Sequence, residues 1–374
     1  MDSITIDDVG EFKFAGAVGR AELTGVWTWL ARDIAPDLID RERTDIAEAL
    51  AAQLTTIPTL LARAEKAVAA ASKDLDAERR LKVQLGSTEV WERLRAVLNA
   101  LKCLPLIEKA KHFGRVINDI GSDEALVNAL QSIPRGDANV AAVLLTAAVS
   151  EIANPSRLVV AATKIAGGAS EPALLRMGLA PLIDACLAQA QNTIPPLLQV
   201  GGYIDMDLMC HAIERFHRLT RAITANIEVT RGSRWATIIA ALTKIVSDKL
   251  EPRLRDVTQD LHQALRPPRD NVRQDADGML SVLNGFYLLA TVRDCRDSLA
   301  LNKVFDECWS RTGQALEMYL ERATDALRSA PTDKLVLARF DAGLKMAELR
   351  FGQDFVQVLK RSRDSIGRRQ ANSG

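Results

Sequence analysis

The densest run of side chains able to hold a metal is Cys210-His211-Ala212-Ile213-Glu214-Arg215-Phe216-His217. Glu214 and His217 stand three apart, the Glu-x-x-His spacing that turns a carboxylate and an imidazole toward a di-iron centre in ferritin-like bundles. Such a centre takes a second pair of the same kind, yet His112 and His262 have no Glu three residues before them. Cys210 and His217 lie two turns apart on one helical face, so zinc there takes two further ligands from elsewhere. The sequence therefore predicts neither metal nor cofactor. Cys210, Glu214 and His217 are the weak metal candidates, read first as ordinary helix residues.

Asp275-Ala276-Asp277-Gly278 matches the centre of an EF-hand loop, but the register fails. With Gly278 as the invariant glycine, the loop would begin at Arg273 and end at Asn284, where calcium takes carboxylates. The segment reads as a solvated loop, with Asp277 or Gly278 opening the next helix. Gly167-Gly168 and Gly201-Gly202 lack the spacing and the preceding strand of a phosphate-binding loop. No Gly-x-Ser-x-Gly elbow occurs, and four histidines leave few ways to assemble a nucleophile and its base. No catalytic residue is assigned, and a non-enzymatic protein is expected.

The elements that would position these groups are helices. Met209, Ile213, Phe216, Thr220, Ile223 and Ile227 step by four and three, which keeps them on one side of a helix. The rhythm returns in Ile239, Leu242, Val246, Leu250, Val257, Leu261 and Leu265, with Gly232 and Ser233 as break and cap between two antiparallel helices. Leu301, Phe305, Cys308, Thr312, Ala315, Tyr319, Ala323 and Ala326 form a near-heptad seam, expected in the longest helix of the chain. Strand-like alternation appears only around Val9, Phe12 and Phe14. The expected fold is all-α: a multi-helix bundle or α-solenoid-like array, with shorter Pro-bounded helices in the first half and long antiparallel helices in the second.

The organisation expected along the chain is an N-terminal arm over residues 1–20, a first helical region over 21–168, a long-helix bundle over 169–366 and a disordered tail over 367–374. Pro36, Pro58, Pro105, Pro134 and Pro155 are each expected at a helix start or break, and Pro331 in a first turn. Ala35-Pro36-Asp37-Leu38-Ile39-Asp40 with Thr56-Ile57-Pro58 echoes Ala180-Pro181-Leu182-Ile183-Asp184 with Thr193-Ile194-Pro195, the trace an internal duplication would leave.

Forty-eight basic and 48 acidic residues cancel, so no global field draws the chain to nucleic acid or an anionic membrane. Five widely spaced cysteines form no disulfide framework and suit a reducing compartment. The acidic amino terminus lacks the charge and apolar run of a signal peptide, and the uncharged run 138–150 is shorter than the roughly 20 residues of a spanning helix. A cytoplasmic protein is expected, with a composition of the kind GC-rich bacterial genomes produce.

Three surfaces carry partner expectations. Leu23, Trp27, Leu30 and Ile34 share a helical face from which Trp29 projects roughly 160° away; Trp27 and Trp29 are either both core or one of them anchors a partner. The opening segment, with Phe12 and Phe14, docks as an arm on this chain or on another. Lys360, Arg361, Arg363, Arg368 and Arg369 could touch phosphates, although cations also suit a helix carboxyl end without any ligand. The leading expectation is a helical scaffold or adaptor acting on protein partners, with the 301–326 seam as the candidate surface for a homo-oligomer. The alternative is a nucleic-acid or anionic-membrane binder using the basic C-terminal helix. A helical-bundle metalloenzyme on Cys210, Glu214 and His217 is the remote third.

Overall fold

The computed structural model describes residues 1–7, 12–39, 46–133, 136–198, 205–264 and 276–371. Among these the chain is all-α, with fifteen α-helices and one two-residue parallel strand pair, β1 (Thr5–Ile6) beside β2 (Val18–Gly19). The chain divides into two compact units: residues 1–195 with 218–242, and residues 196–217 with 243–374.

In the first unit α1 (Arg20–Trp29) runs into a π-helical turn, Leu30–Ile34, followed by α2 (Ile46–Ala71), α3 (Leu75–Leu85), α4 (Thr88–Asp119) and α5 (Asp123–Gln131). α6 (Ala138–Ser150) is a helix whose buried apolar residues point all round, as a central core helix requires. After it come α7 (Pro155–Ala166), α8 (Glu171–Arg176) and α9 (Ala180–Gln191), and α6 packs on both α4 and α9. Small residues make that possible. Ala141, Ala142, Ala147 and Ala148 are buried, and a Cβ at Gly114 of α4 would stand 2.2 Å from the Ala148 carbonyl oxygen.

The proline expectations need correction. Pro155 does open α7, but Pro58 lies inside α2 and Pro105 inside α4, which at 32 residues exceeds the 28 of the helix carrying the 301–326 seam. Each proline forgoes one backbone bond, and the long buried stripe of α4, from Val90 through Leu94, Val97, Leu101 and Ile107 to Ile117, carries the helix through. The two members of the sequence echo also differ: Ala35-Pro36 follows the π-helical turn, whereas Ala180-Pro181 opens α9. Pro134 lies outside the described residues.

α10 (Met206–Thr224) and α11 (Arg234–Ala264) contribute residues to both units. Ser233 caps α11 by accepting from the Ala236 amide, 3.3 Å, as its place after Gly232 suggested. The second unit continues with α12 (Ala276–Cys295), α13 (Asn302–Ser329), α14 (Lys334–Phe351) and α15 (Gln353–Ala371). α12 opens at Ala276, one residue before Asp277. α14 opens after Asp333, whose carboxylate accepts from the Leu335 amide at 2.8 Å, which leaves Pro331 in the preceding turn rather than in the helix. Phe286, Phe305, Leu316, Leu320, Phe340, Leu344 and Val356 fill this unit's interior.

Candidate functional site

Among the described residues no three or more His, Cys, Asp or Glu side chains gather so as to hold an ion. The Nδ1 of His217 lies 2.9 Å from the Ser298 hydroxyl, a side chain to side chain contact within the second unit. Burial pushes the Cys210 thiol above its ordinary pKa, and the Thr291 hydroxyl only partly opposes this. These residues anchor α10 to its neighbours.

A polar cleft of about 540 Å³ lies in the second unit between α11 and α13, lined by Arg255, Thr258, His262, Glu307, Cys308 and Arg311 among others. Both of its guanidiniums are held on their own helices, Arg255 by Glu251 at 2.8 Å and Arg311 by Glu307 at 2.6 Å. Burial pushes the Cys308 thiol up, and the neighbouring arginines do not offset it. A protonated thiol is a poor nucleophile.

In the first unit an ion-pair cluster surrounds the buried Glu22, 3 % exposed. Its carboxylate accepts from the Gly19 amide at 2.8 Å, meets the Lys13 ammonium at 2.8 Å and the Arg93 Nε at 3.3 Å. The Arg93 Nη2 donates onward to the carbonyls of Phe14, 3.0 Å, and Ala17, 2.7 Å. Burial alone would raise the Glu22 pKa; Lys13, the Gly19 amide and Arg93 outweigh it and hold the carboxyl below its usual range. Arg234 adds a second clamp, donating to the Lys13 carbonyl at 3.2 Å and to Asp184 at 2.6 Å. The described part of the opening segment is thereby fixed on its own body, with Ile4, Ile6, Phe14 and Val18 buried. Phe14 is 1 % exposed and Phe12 half-buried. Trp29 is fully buried, its indole N–H without an acceptor among the described residues, while Trp27 is half-buried. A partner anchor needs an accessible ring, and Trp29 and Phe14 have none.

On α15 the cations divide. Arg363 pairs with Asp341 at 2.8 Å, whereas Lys360 and Arg361 are exposed without an ion-pair partner among the described residues. The side chains of Arg368 and Arg369 lie outside the described part, although the helix itself runs to Ala371.

Sequence reasoning missed the second unit's most unusual group, Arg350 at the end of α14. Its guanidinium lies 4.1 Å from the centroid of the Trp309 ring and 5.0 Å from that of Phe351, and Arg293 approaches the same Trp309 ring at 5.5 Å. The Arg350 Nη2 donates to the Trp309 carbonyl at 3.1 Å; its Nε is buried with no partner among the described residues. Among the described residues Arg350 has no ion pair. Burial lowers its pKa from the ordinary value, with Glu317 opposing and Arg293 adding to the fall. A Cβ at Gly313 would stand 2.5 Å from the Arg350 Nη2, so the absence of a side chain there makes the slot in which the guanidinium lies. The available signal was Gly313 itself, a glycine inside an amphipathic helix, which usually marks a close approach.

No protein-family model, curated protein or solved structure matches the chain. Among the described residues no helix is long and apolar enough to cross a membrane.

Proposed function

We propose that the chain is a non-enzymatic, cytoplasmic helical adaptor that holds protein partners on helix faces of its second unit. The observation that supports this reading is α12: Leu280 is 54 % and Tyr287 48 % exposed, with half-buried Leu283 between them. Spacings of three and four put all three on one face, the i, i+3, i+7 pattern by which helices engage apolar grooves. A tyrosine flanked by leucines is also the composition expected of an interface anchor.

The test is affinity capture with crosslinking from the native cell, comparing the intact chain with a Leu280→Asp, Tyr287→Asp variant. Stoichiometric protein partners crosslinked along α12 and lost in the variant are expected. Capture that is empty, or indifferent to the substitutions, would contradict the reading. Homo-oligomerisation would show in the same pair as a mass change by light scattering. The polyanion reading has less support, since Arg363 is already committed to Asp341.

A further inference from the structure

The geometry points to Arg350, framed by Trp309, Phe351 and Gly313, as a receptor for a single carboxylate presented by a protein partner. This deepens the adaptor reading and rests on it. Charges withdrawn from water are ordinarily paired, and the first unit obeys that rule at Glu22 and Arg93. Arg350 does not. Its guanidinium is held by two aromatic rings, a glycine slot and one main-chain carbonyl, with donors left over and no carboxylate among the described residues. The guanidinium fork matches a carboxylate, and flanking rings that exclude water strengthen a charge-assisted bond.

The surroundings decide between a carboxylate and a polyphosphate chain. Arg293, the second guanidinium on Trp309, is already matched by Asp294 at 2.8 Å. Glu317 on α13 acts on Arg350 through space, Glu348 shares α14 with Arg350, and Asp354 lies in the first turn of α15. One positive charge without an ion-pair partner among the described residues, set among several acids, suits one carboxylate and repels a run of phosphates. Apolar surface adjoins the slot: Phe351 contacts Phe355 at 4.7 Å, Phe355 is 37 % exposed, and Val358 one turn on is 63 % exposed. The partner segment therefore carries an acidic side chain or a terminal carboxylate next to an apolar residue.

The test uses the full-length protein and N-acetylphenylalanine as the probe, with its uncharged amide and inorganic phosphate as comparators at constant ionic strength. The readout is the Arg350 Nε–H resonance, assigned by its loss in Arg350→Lys. A saturable shift with N-acetylphenylalanine, absent with the amide, is expected. Arg350→Lys and Gly313→Ala should each weaken binding about tenfold; the second alters no charge but displaces the guanidinium. No saturable shift, an equal response to the amide, or preferential binding of phosphate would each overturn the assignment. Partners captured on α12 without any carboxylate effect would sink this inference alone. Carboxylate binding with no captured partner would sink the adaptor reading instead.

Discussion

Arg93 and Arg350 are partly buried guanidiniums in different units, and they are held in opposite ways. Arg93 meets a buried carboxylate and two main-chain carbonyls, tying α4 to α1 through Glu22 and to the opening segment through Phe14 and Ala17. Arg350 meets rings, a glycine and one carbonyl, and fastens little that the packing of α13 on α14 does not already hold. The first arrangement is closed and the second leaves donors over. The difference teaches that withdrawal from water does not define an arginine's role; what completes its hydrogen bonds does.

The comparison can be broken from the first unit outward. Glu22→Ala should have the largest effect, about 3 kcal/mol of lost stability, because it removes the buried carboxylate that Arg93 and Lys13 converge on and leaves the partly buried Arg93 without its counter-charge. Thermal unfolding would show it. Gly114→Ala should cost about 2 kcal/mol by forcing α4 away from the Ala148 carbonyl. Denaturant unfolding measures that cost, and an unchanged midpoint would mean α4 and α6 do not touch there.

Acid separates the units next. The Glu22 pKa is lowered by folding, so its contribution is full above the unfolded carboxyl value of about 4.3 and is lost as pH falls through the lower folded value. The first unit should weaken in that window, and Glu22→Gln should flatten the dependence. The smallest effect belongs to Lys360→Gln with Arg361→Gln, which should change stability by no more than about 0.5 kcal/mol, since both side chains are exposed. A larger loss would show that α15 depends on these charges.

The helices were legible because periodicity is local. The expected seam of α13 holds at Phe305, Cys308, Thr312, Ala315 and Ala323, all buried, then slips: Ala326 is exposed and Leu327 buried in its place. A straight helix drifts from a strict seven-residue repeat in this way. The opening segment was harder, because Glu22 and Arg93 stand 71 residues apart and nothing in either neighbourhood announces the other. The reading treated α15's basic run as one surface, whereas Arg363 is drawn off by Asp341, 22 residues away. Trp29 was recognisable as projecting away from Trp27, but only packing shows that both sides of α1 are covered. The slot at Gly313 needed α14 beside α13, and neighbouring helices are a tertiary fact.

The most direct measurement is hydrogen exchange on a matched pair, Arg93→Met and Arg350→Met, reading the amides of α4 and α13 separately so that each unit reports on itself. The account predicts that Arg93→Met lowers protection in α4 by about 3 kcal/mol, and that Arg350→Met changes α13 by less than about 1 kcal/mol because it strands no opposite charge. Equal losses would contradict it and make Arg350 a structural clamp like Arg93.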